Sequence, residues 1–501
     1  MYFLGIDIGG TVTKAGIYDA LGQEICVSED YANILSAKPG FTERNMDALW
    51  LSVCKVVQSA ISQSGLSNAQ IKGIGFSSHG KGLYAIDKNG DPVRNGIISS
   101  DTRALKIVQD WQKAGIDQQA YPKGLQQLWT GHPVSLLAWI KQEEPENYEK
   151  IDAILMVHDY IRFKLTGEIT AEITNISGSN IYNQKTGDYD SELMQLFGIP
   201  EMENHTARVI TSSEQAGGVT IKAAKETGLL AGTAVYGGLF DVVAAALSSG
   251  VADKRILSAV AGTWSIATSV VDELNIDQTN NYPYIWGKYC TGNQYFVHEG
   301  SPTSASNLAW MIKQFFNNDQ SVYQKFNQML ADKSTDNLKY ADEDALDLIF
   351  LPYLFGSNQA SNLKGGFYGM SGHHTQDDMI AAMYRGIIYS HLIHQDRILK
   401  LNPDVEKIRF TGGPSQSEAW MQMMTDAGGL NLEVVDIKQA GCQAAAMSAA
   451  VGYGVYKNFS DAITANVPKT LNYAPNRYQN EYLRRGYAKF IALSETLAKL
   501  E

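Results

Sequence analysis

The segment Asp7-Ile8-Gly9-Gly10-Thr11-Val12-Thr13-Lys14 puts a carboxylate, two glycines, two threonines and a lysine side by side. A Gly- and Thr-rich hairpin aims backbone N–H groups and hydroxyls at phosphate oxygens, and Lys14 adds a compact positive charge. Asp7 closes the preceding apolar run. It is placed to hold Mg2+ through water, because that ion keeps much of its hydration shell. On this segment alone, an ordinary glycine hairpin explains the residues equally well. A second Gly-Thr pair, Gly262-Thr263, favours phosphate chemistry, since two such turns can grip a polyphosphate from both sides.

Asp241 follows Gly237-Gly238-Leu239-Phe240 and precedes the apolar run VVAAAL. Aspartate at the start of a helix is usually an N-cap, and the local pattern favours that role. The functional alternative is a general base that accepts a hydroxyl proton during phosphoryl transfer. Gly75-Phe-Ser-Ser-His-Gly80-Lys81-Gly82 nearly matches a P-loop. It lacks the final Ser/Thr, and a strand-like run, LYAID, follows where a P-loop requires a helix. His79 and Lys81 on this loop suit hydrogen bonds to a polyol, against a solvated loop as the plain alternative. Asp101 either caps a helix expected over 102–113 or accepts from sugar hydroxyls. Gly412-Gly413-Pro414-Ser415-Gln416-Ser417, with Trp420 and Asp426 beyond it, has the composition of a shelf for a nucleotide base. The histidines, including His373-His374 and His391/His394, lack a matching carboxylate or thiol cluster, so no zinc site is expected. No G-x-S-x-G elbow is present.

The elements that must carry these residues follow from periodicity. Runs at 2–8, 14–18 and 23–28 read as an antiparallel meander. A helix is expected over 46–64, with Asn45 as N-cap and Gly65 as C-cap, because Leu49, Val53, Val56 and Ala60 share one face. A buried strand follows at 71–76, and Asp87-Lys88-Asn89-Gly90 is a turn with strand-like runs on either side. In the second half, 255–260, Gly262-Thr263 and 265–271 repeat the opening strand–turn–strand pattern. Strands at 407–411 and 432–436 alternate with helices at 415–427 and 441–455. Two α/β domains result, 1–248 and 249–501, facing each other across a ligand cleft.

With 501 residues, the chain has room for two large domains. Acidic residues outnumber basic ones, 53 to 41, for a formal charge of −12. That balance disfavours nucleic acid or an anionic membrane as partner. The four dispersed cysteines, Cys26, Cys54, Cys290 and Cys442, fit reduced thiols in a cytoplasm rather than a disulfide scaffold. The N-terminus does not read as a signal peptide, and no apolar stretch reaches the ~20 residues of a membrane span.

Taken together, these segments resemble the FGGY carbohydrate kinases of the actin–hexokinase–Hsp70 superfamily. The match runs through nearly the whole chain in family order. It includes Asp7–Lys14, Gly131-His-Pro133…Trp139, Asp159-Tyr160 with Leu165-Thr166-Gly167-Glu168, GGLFD, Gly262-Thr263 and GGPSQSEAW. Leu136, Arg385 and the region near Ala305 depart from the family pattern without touching the phosphate turns or Asp241. The resemblance implies two ribonuclease-H-like α/β domains closing on ATP and a sugar, the first on the sugar side and the second on the nucleotide side. By position it assigns Gly10, Thr11, Thr13 and Lys14 to the first phosphate turn and Gly262 and Thr263 to the second. Gly412, Gly413 and Ser417 fall in the adenosine region, and His79, Lys81 and Asp101 in the sugar region. Asp241 becomes the catalytic base, which reverses the capping preference, and Asp7 the Mg2+ ligand. The segments SSHGKGLYAID, SSDTRA and AGTWS look most like the L-xylulose kinase branch. This implies phosphorylation of L-xylulose at its terminal hydroxyl. D-xylulose, L-ribulose, gluconate and glycerol are the alternative acceptors, a sugar-sensing ATPase switch is the competing class, and a homodimer is compatible with the class.

Overall fold

The computed structural model describes residues 1–262, 264–274, 284–291, 293–335, 346–360 and 362–500, with side chains omitted at 332–335. Thr263 lies outside the described residues. The chain divides into two compact units. One comprises Met1–Ala252, Val271–Val297 and Lys438–Val467, and the other Asp253–Val270, His298–Ile437 and Pro468–Glu501. The chain thus leaves the first unit after Ala252 and returns to it at Val271 and again at Lys438.

In the first unit, β1 (Tyr2–Ile8), β2 (Val12–Asp19) and β3 (Glu24–Tyr31) form the expected antiparallel meander. Helix α1 (Met46–Ser64) packs on β2 and β3. Asn45 Oδ1 accepts from Ala48 N–H at 2.8 Å, and Gly65 closes the helix with φ +65°, a conformation glycine adopts at no steric cost. Leu49, Val53, Val56 and Ala60 are buried, so the 3.6-residue spacing marks the core face. Strand β4 (Ile71–Ser78) lies parallel to β1. Helix α2 (Val157–Thr166) and strand β5 (Thr170–Glu172) precede β6 (Gln215–Gly218), β7 (Ala234–Tyr236) and β8 (Leu239–Phe240). The sheet order is β6-β7-β4-β1-β2-β3, with β8 parallel to the end of β4. Helix α3 (Asp241–Ser248) starts directly after β8.

The far-downstream helix Ala440–Tyr453 packs on β1 and β4 of this unit. Gly16, Gly5 and Gly75 stand in one row across β2, β1 and β4. A Cβ on Gly5 would lie 1.9 Å from the Cys442 carbonyl oxygen, and one on Gly75 2.0 Å from that of Ala445. The glycine row and the small residues of GCQAAAMSAA therefore let helix and sheet approach more closely than side chains would allow.

The second unit repeats the hairpin-plus-parallel-strand pattern. β9 (Ile256–Ala261) pairs antiparallel with β10 (Ser265–Val271) and parallel with β11 (Lys407–Gly412), and β12 (Asn431–Val435) and β13 (Thr470–Tyr473) continue the sheet. The long helix Gln376–Leu401 is buried along most of its length.

Three local expectations are corrected. LYAID forms only isolated bridges, Leu83 with Ile97 and Ile86 with Pro92 and Ala153. The helix expected from 102 begins at Leu105. The helix expected from 415 is a 3-10 turn, Gly413–Gln416, followed by an α-helix at Glu418–Gly428. Among the described residues no helix is long and apolar enough to cross a membrane.

Candidate active site

Three parallel strands of the first unit end side by side. Asp7 on β1 faces Ser77 on β4, which faces Leu239 on β8, and Ile8, Ser78 and Phe240 form the next row. The chain then leaves each strand into Gly9-Gly10, His79-Gly80-Lys81 and Asp241. Such carboxyl ends of parallel strands are where open α/β sheets bind ligands.

The first hairpin closes through Gly9 N–H donating to Val12 O at 2.9 Å. Gly10 has open space around its Cβ position and Thr11 is exposed. Thr13 differs from Thr11 in exposure. Its side chain is buried, and its Oγ1 accepts from Arg44 Nη2 at 2.6 Å. Arg44 also donates to Gly9 O at 3.2 Å, so it braces the hairpin from beneath. Lys14 Nζ donates to Gln439 Oε1 at 2.9 Å. A Cβ on Gly441 would lie 2.3–2.6 Å from the carboxyl atoms of Asp7. The segment Lys438–Gly441 thus completes a site whose other residues lie at the beginning of the chain.

Asp241 is the first residue of α3, and the N-cap position belongs to Phe240, whose side chain makes no cap. Asp241 thus stands one residue inside the helix, where its carboxylate accepts from the Val242 N–H. The Asp241 side chain keeps some solvent access while protein surrounds it closely. Burial and then the Asp7 carboxylate push its pKa up to about 7, against the Val242 N–H and the Lys81 ammonium. Asp7 is itself raised by burial, countered by Ser77 and Lys14. Lys81 sits at φ +62°, in the left-handed region, with Nζ 5.4 Å from the Phe240 ring centroid. Burial lowers its pKa to about 8, with Asp241 acting against the drop. His79 is buried, and desolvation lowers its pKa to about 4, so its imidazole is neutral at pH 7. The Phe240 ring lies against Gly80, where a Cβ would come within 2.3 Å of it.

Several polar side chains that the sequence assigned no role gather near Lys81. Asn175 Oδ1 accepts from Lys81 N–H at 3.1 Å. A Cβ on Gly178 would lie 3.7 Å from Gln126 Oε1 and 3.8 Å from Lys81 Nζ. Burial and the Lys81 charge hold His132 well below the usual histidine range. Gln126 Oε1, His132 Nε2 and Asn175 Nδ2 are buried without a hydrogen-bond partner among the described residues. Orphaned groups of this kind are costly unless a ligand completes them. His132 stands inside Gly131-His-Pro133, whereas Gln126 and Asn175 belong to no pattern noted in the sequence.

Asp101 is assigned a different task from the one expected. It is fully buried, and its carboxylate accepts from Thr42 N–H, Arg103 N–H and the Arg103 guanidinium at 2.6–2.9 Å. Arg103 in turn stacks on Phe41 and Trp139. Four donors saturate the carboxylate, so Asp101 braces the loop and does not present oxygens to a sugar.

In the second unit, Gly262 is exposed in the turn after β9, and its carbonyl accepts from Ala305 N–H at 3.1 Å. Gly412 has φ +111°, and a Cβ there would lie 1.9 Å from Ala261 O. Gly413 is exposed with open space around it, as close backbone approach to a ring would need. Ser417 caps the following helix by accepting from Trp420 N–H at 3.2 Å. The shelf expected from Trp420 and Asp426 does not form. Trp420 is buried against Tyr384, and Asp426 accepts from Gln422 and from Asn476 N–H.

Asp7 and Asp241 form a half-buried acidic pair that a hard divalent cation would suit. Among the described residues no cluster of three or more His, Cys, Asp or Glu side chains could hold a metal. An ion here would draw most of its ligands from phosphate and water.

Residues 2–248 match the N-terminal domain, and residues 257–453 the C-terminal domain, of the FGGY family of carbohydrate kinases. The chain is 44% identical over 461 residues to the L-xylulose/3-keto-L-gulonate kinase of Escherichia coli, covering 92% of this chain and 90% of that protein. It is 43% identical over 501 residues to a probable L-xylulose kinase of Haemophilus influenzae, covering 99% of both. A ligand-bound xylulose kinase from Lactobacillus acidophilus shares the fold with a TM-score of 0.91 at 22% identity, covering 100% of this chain and 99% of that one. This chain belongs to the FGGY family of carbohydrate kinases, phosphotransferases that use ATP and an alcohol acceptor.

Proposed function

We propose that the chain phosphorylates the terminal hydroxyl of L-xylulose, giving L-xylulose 5-phosphate and ADP. The observation that carries this reading is a half-buried carboxylate, Asp241, at the ends of three strands beside a cation, Lys81, near which orphaned amide and imidazole groups gather. The names of the E. coli and H. influenzae relatives support the choice of sugar.

Asp241, ionised above about pH 7, accepts the proton of the reacting hydroxyl. The hydroxyl oxygen bonds to the γ-phosphorus, and the bond from that phosphorus to the β–γ bridging oxygen breaks, releasing ADP. Gly10 and Thr11 offer N–H and hydroxyl donors to the transferring phosphoryl group, and Lys14, oriented by Gln439, balances its charge. The exposed turns at Gly262 and at Gly412-Gly413 serve the nucleotide in the second unit. Lys81, His79, Gln126, His132 and Asn175 hold the rest of the sugar. Mg2+ at Asp7 and on the phosphates would supply charge neutralisation. Four free cysteines fit a reducing cytoplasm.

An acidic ketose is the second reading, favoured by the half-buried Lys81 ammonium, which would pair with a carboxylate. ADP release is to be measured with L-xylulose, 3-keto-L-gulonate, D-xylulose, L-ribulose, gluconate and glycerol. The proposal expects the highest kcat/KM with L-xylulose. Slow hydrolysis indifferent to sugar would replace the kinase with an ATPase switch. Asp241→Asn should lower kcat at least ~10²-fold with sugar affinity nearly intact. Unchanged turnover would remove Asp241 from the chemistry.

A further inference from the structure

The segment that delivers Asp241 is tied down at its start by a buried guanidinium and at its end by a buried hydroxyl. At its start, Arg162 Nη1 donates to Gly237 O at 2.7 Å. At its end, Phe240 N–H, immediately before Asp241, donates to Thr174 Oγ1 at 2.9 Å. That hydroxyl in turn donates to Glu172 Oε2 at 2.7 Å. A hydroxyl has one hydrogen. With that hydrogen committed to Glu172, a lone pair is left facing Phe240 N–H.

Glu172 is fully buried and over-determined. Its Oε1 accepts from Thr174 N–H at 3.0 Å and from the Ser212 hydroxyl at 2.7 Å. Its Oε2 accepts from Asn175 N–H at 3.2 Å as well as from Thr174. Its own N–H donates to Asp159 Oδ1 at 3.0 Å, and Asp159 pairs with Arg162 at 2.7 Å. The two anchors of the Gly237–Phe240 loop are thus joined in one network, Arg162–Asp159–Glu172–Thr174, whose members have almost no solvent exposure. Asn175, which receives the Lys81 N–H, sits on the same turn.

We propose that Thr174, oriented by Glu172, is a positioning residue for Asp241: its hydroxyl fixes the Phe240 amide and thereby where the base meets the sugar hydroxyl. The inference rests on Asp241 being the base. A shift of about 1 Å in such a group is enough to cost ~10²-fold in rate.

Thr174→Val keeps the shape and removes the oxygen, whereas Thr174→Ser keeps the oxygen. Steady-state kinetics are to be measured for both beside Glu172→Gln and Asp241→Asn, with folding checked by circular dichroism. For Thr174→Val, kcat should fall at least ~10-fold while the KM values for sugar and ATP move by no more than about 3-fold. Thr174→Ser should recover most of kcat, and Glu172→Gln should lower kcat in the same direction as Thr174→Val. A folded Thr174→Val with wild-type kcat would overturn the inference, as would a folded Thr174→Ser that stays as slow as the valine variant. If the valine variant does not fold, the serine and glutamine variants decide by the same criteria. A slow Asp241→Asn beside a fast Thr174→Val rejects the positioning role alone, and a fast Asp241→Asn rejects the base itself.

Discussion

Asp241 and Lys81 carry opposite shifts for one reason. Each is a charge held where water is scarce, and each moves toward its neutral form near physiological pH. A raised carboxyl pKa means that the folded state holds the proton more tightly than the unfolded chain. The stability this gives is present at low pH and is lost as pH rises through about 7. Having the base ionised therefore works against stability in the free protein. Catalysis needs that ionised form, so kcat/KM for the sugar should fall as pH drops below about 7, with one acidic limb in the pH–rate profile. Lys81 lowers the Asp241 pKa, so Lys81→Met should move the limb to higher pH. The same variant should reduce kcat/KM at pH 7 ~10-fold or more, the worth of one hydrogen bond to a charged group. A limb that stays in place would separate Lys81 from Asp241.

The β1–β4 layer and the Ala440–Tyr453 helix define what an element can tolerate. Their closeness depends on missing side chains in the row Gly16, Gly5 and Gly75. In Gly75→Ala, the new methyl would meet backbone, the Ala445 carbonyl, which cannot rotate away. The cost should be about 3 kcal/mol or more, at or above the usual range for overpacking. Thermal denaturation would show it as a fall in Tm or a loss of soluble protein. Gly65→Ala is a useful contrast. No atom crowds that position, and only the positive φ opposes the change. A Tm drop at Gly75 no larger than at Gly65 would contradict the close-packing account.

At the scale of the whole molecule, the first unit is not a contiguous stretch of chain. Residues 438–467 supply the helix against β1 and β4, the Gln439 carbonyl oxygen that receives Lys14, and the bare backbone of Gly441 beside Asp7. A fragment ending at Ala252 would expose the faces of β1 and β4 that Cys442, Ala446 and Ala449 now cover. Expressed alone, residues 1–252 should aggregate or lack a cooperative melt, as expected of a sheet with one apolar face bare. A soluble fragment with a sharp transition would show that the returning helix is dispensable to the core.

The local code was readable wherever a feature depends on neighbours in sequence. The meander, helix 46–64 with Asn45 and Gly65 as caps, the repeated strand–turn–strand pattern and the glycine hairpin at 9–14 all follow from periodicity and turn chemistry. Asp241 shows where that code ends. A cap and a base share one local pattern, and the surroundings that support the proposed base, β8 packed against β4 with Asp7 and Lys81 nearby, come only from packing. Asp101 carries the right functional group, yet Arg103 and the Thr42 N–H occupy its carboxylate inside the protein. Gln439, Gly441 and Thr174 gave no signal, because each acts on a residue tens to hundreds of positions away. Sequence alone dictates short-range hydrogen bonding and the side of each element that avoids water. Which polar groups are already satisfied, and which are left free for a substrate, is decided only when distant segments pack together.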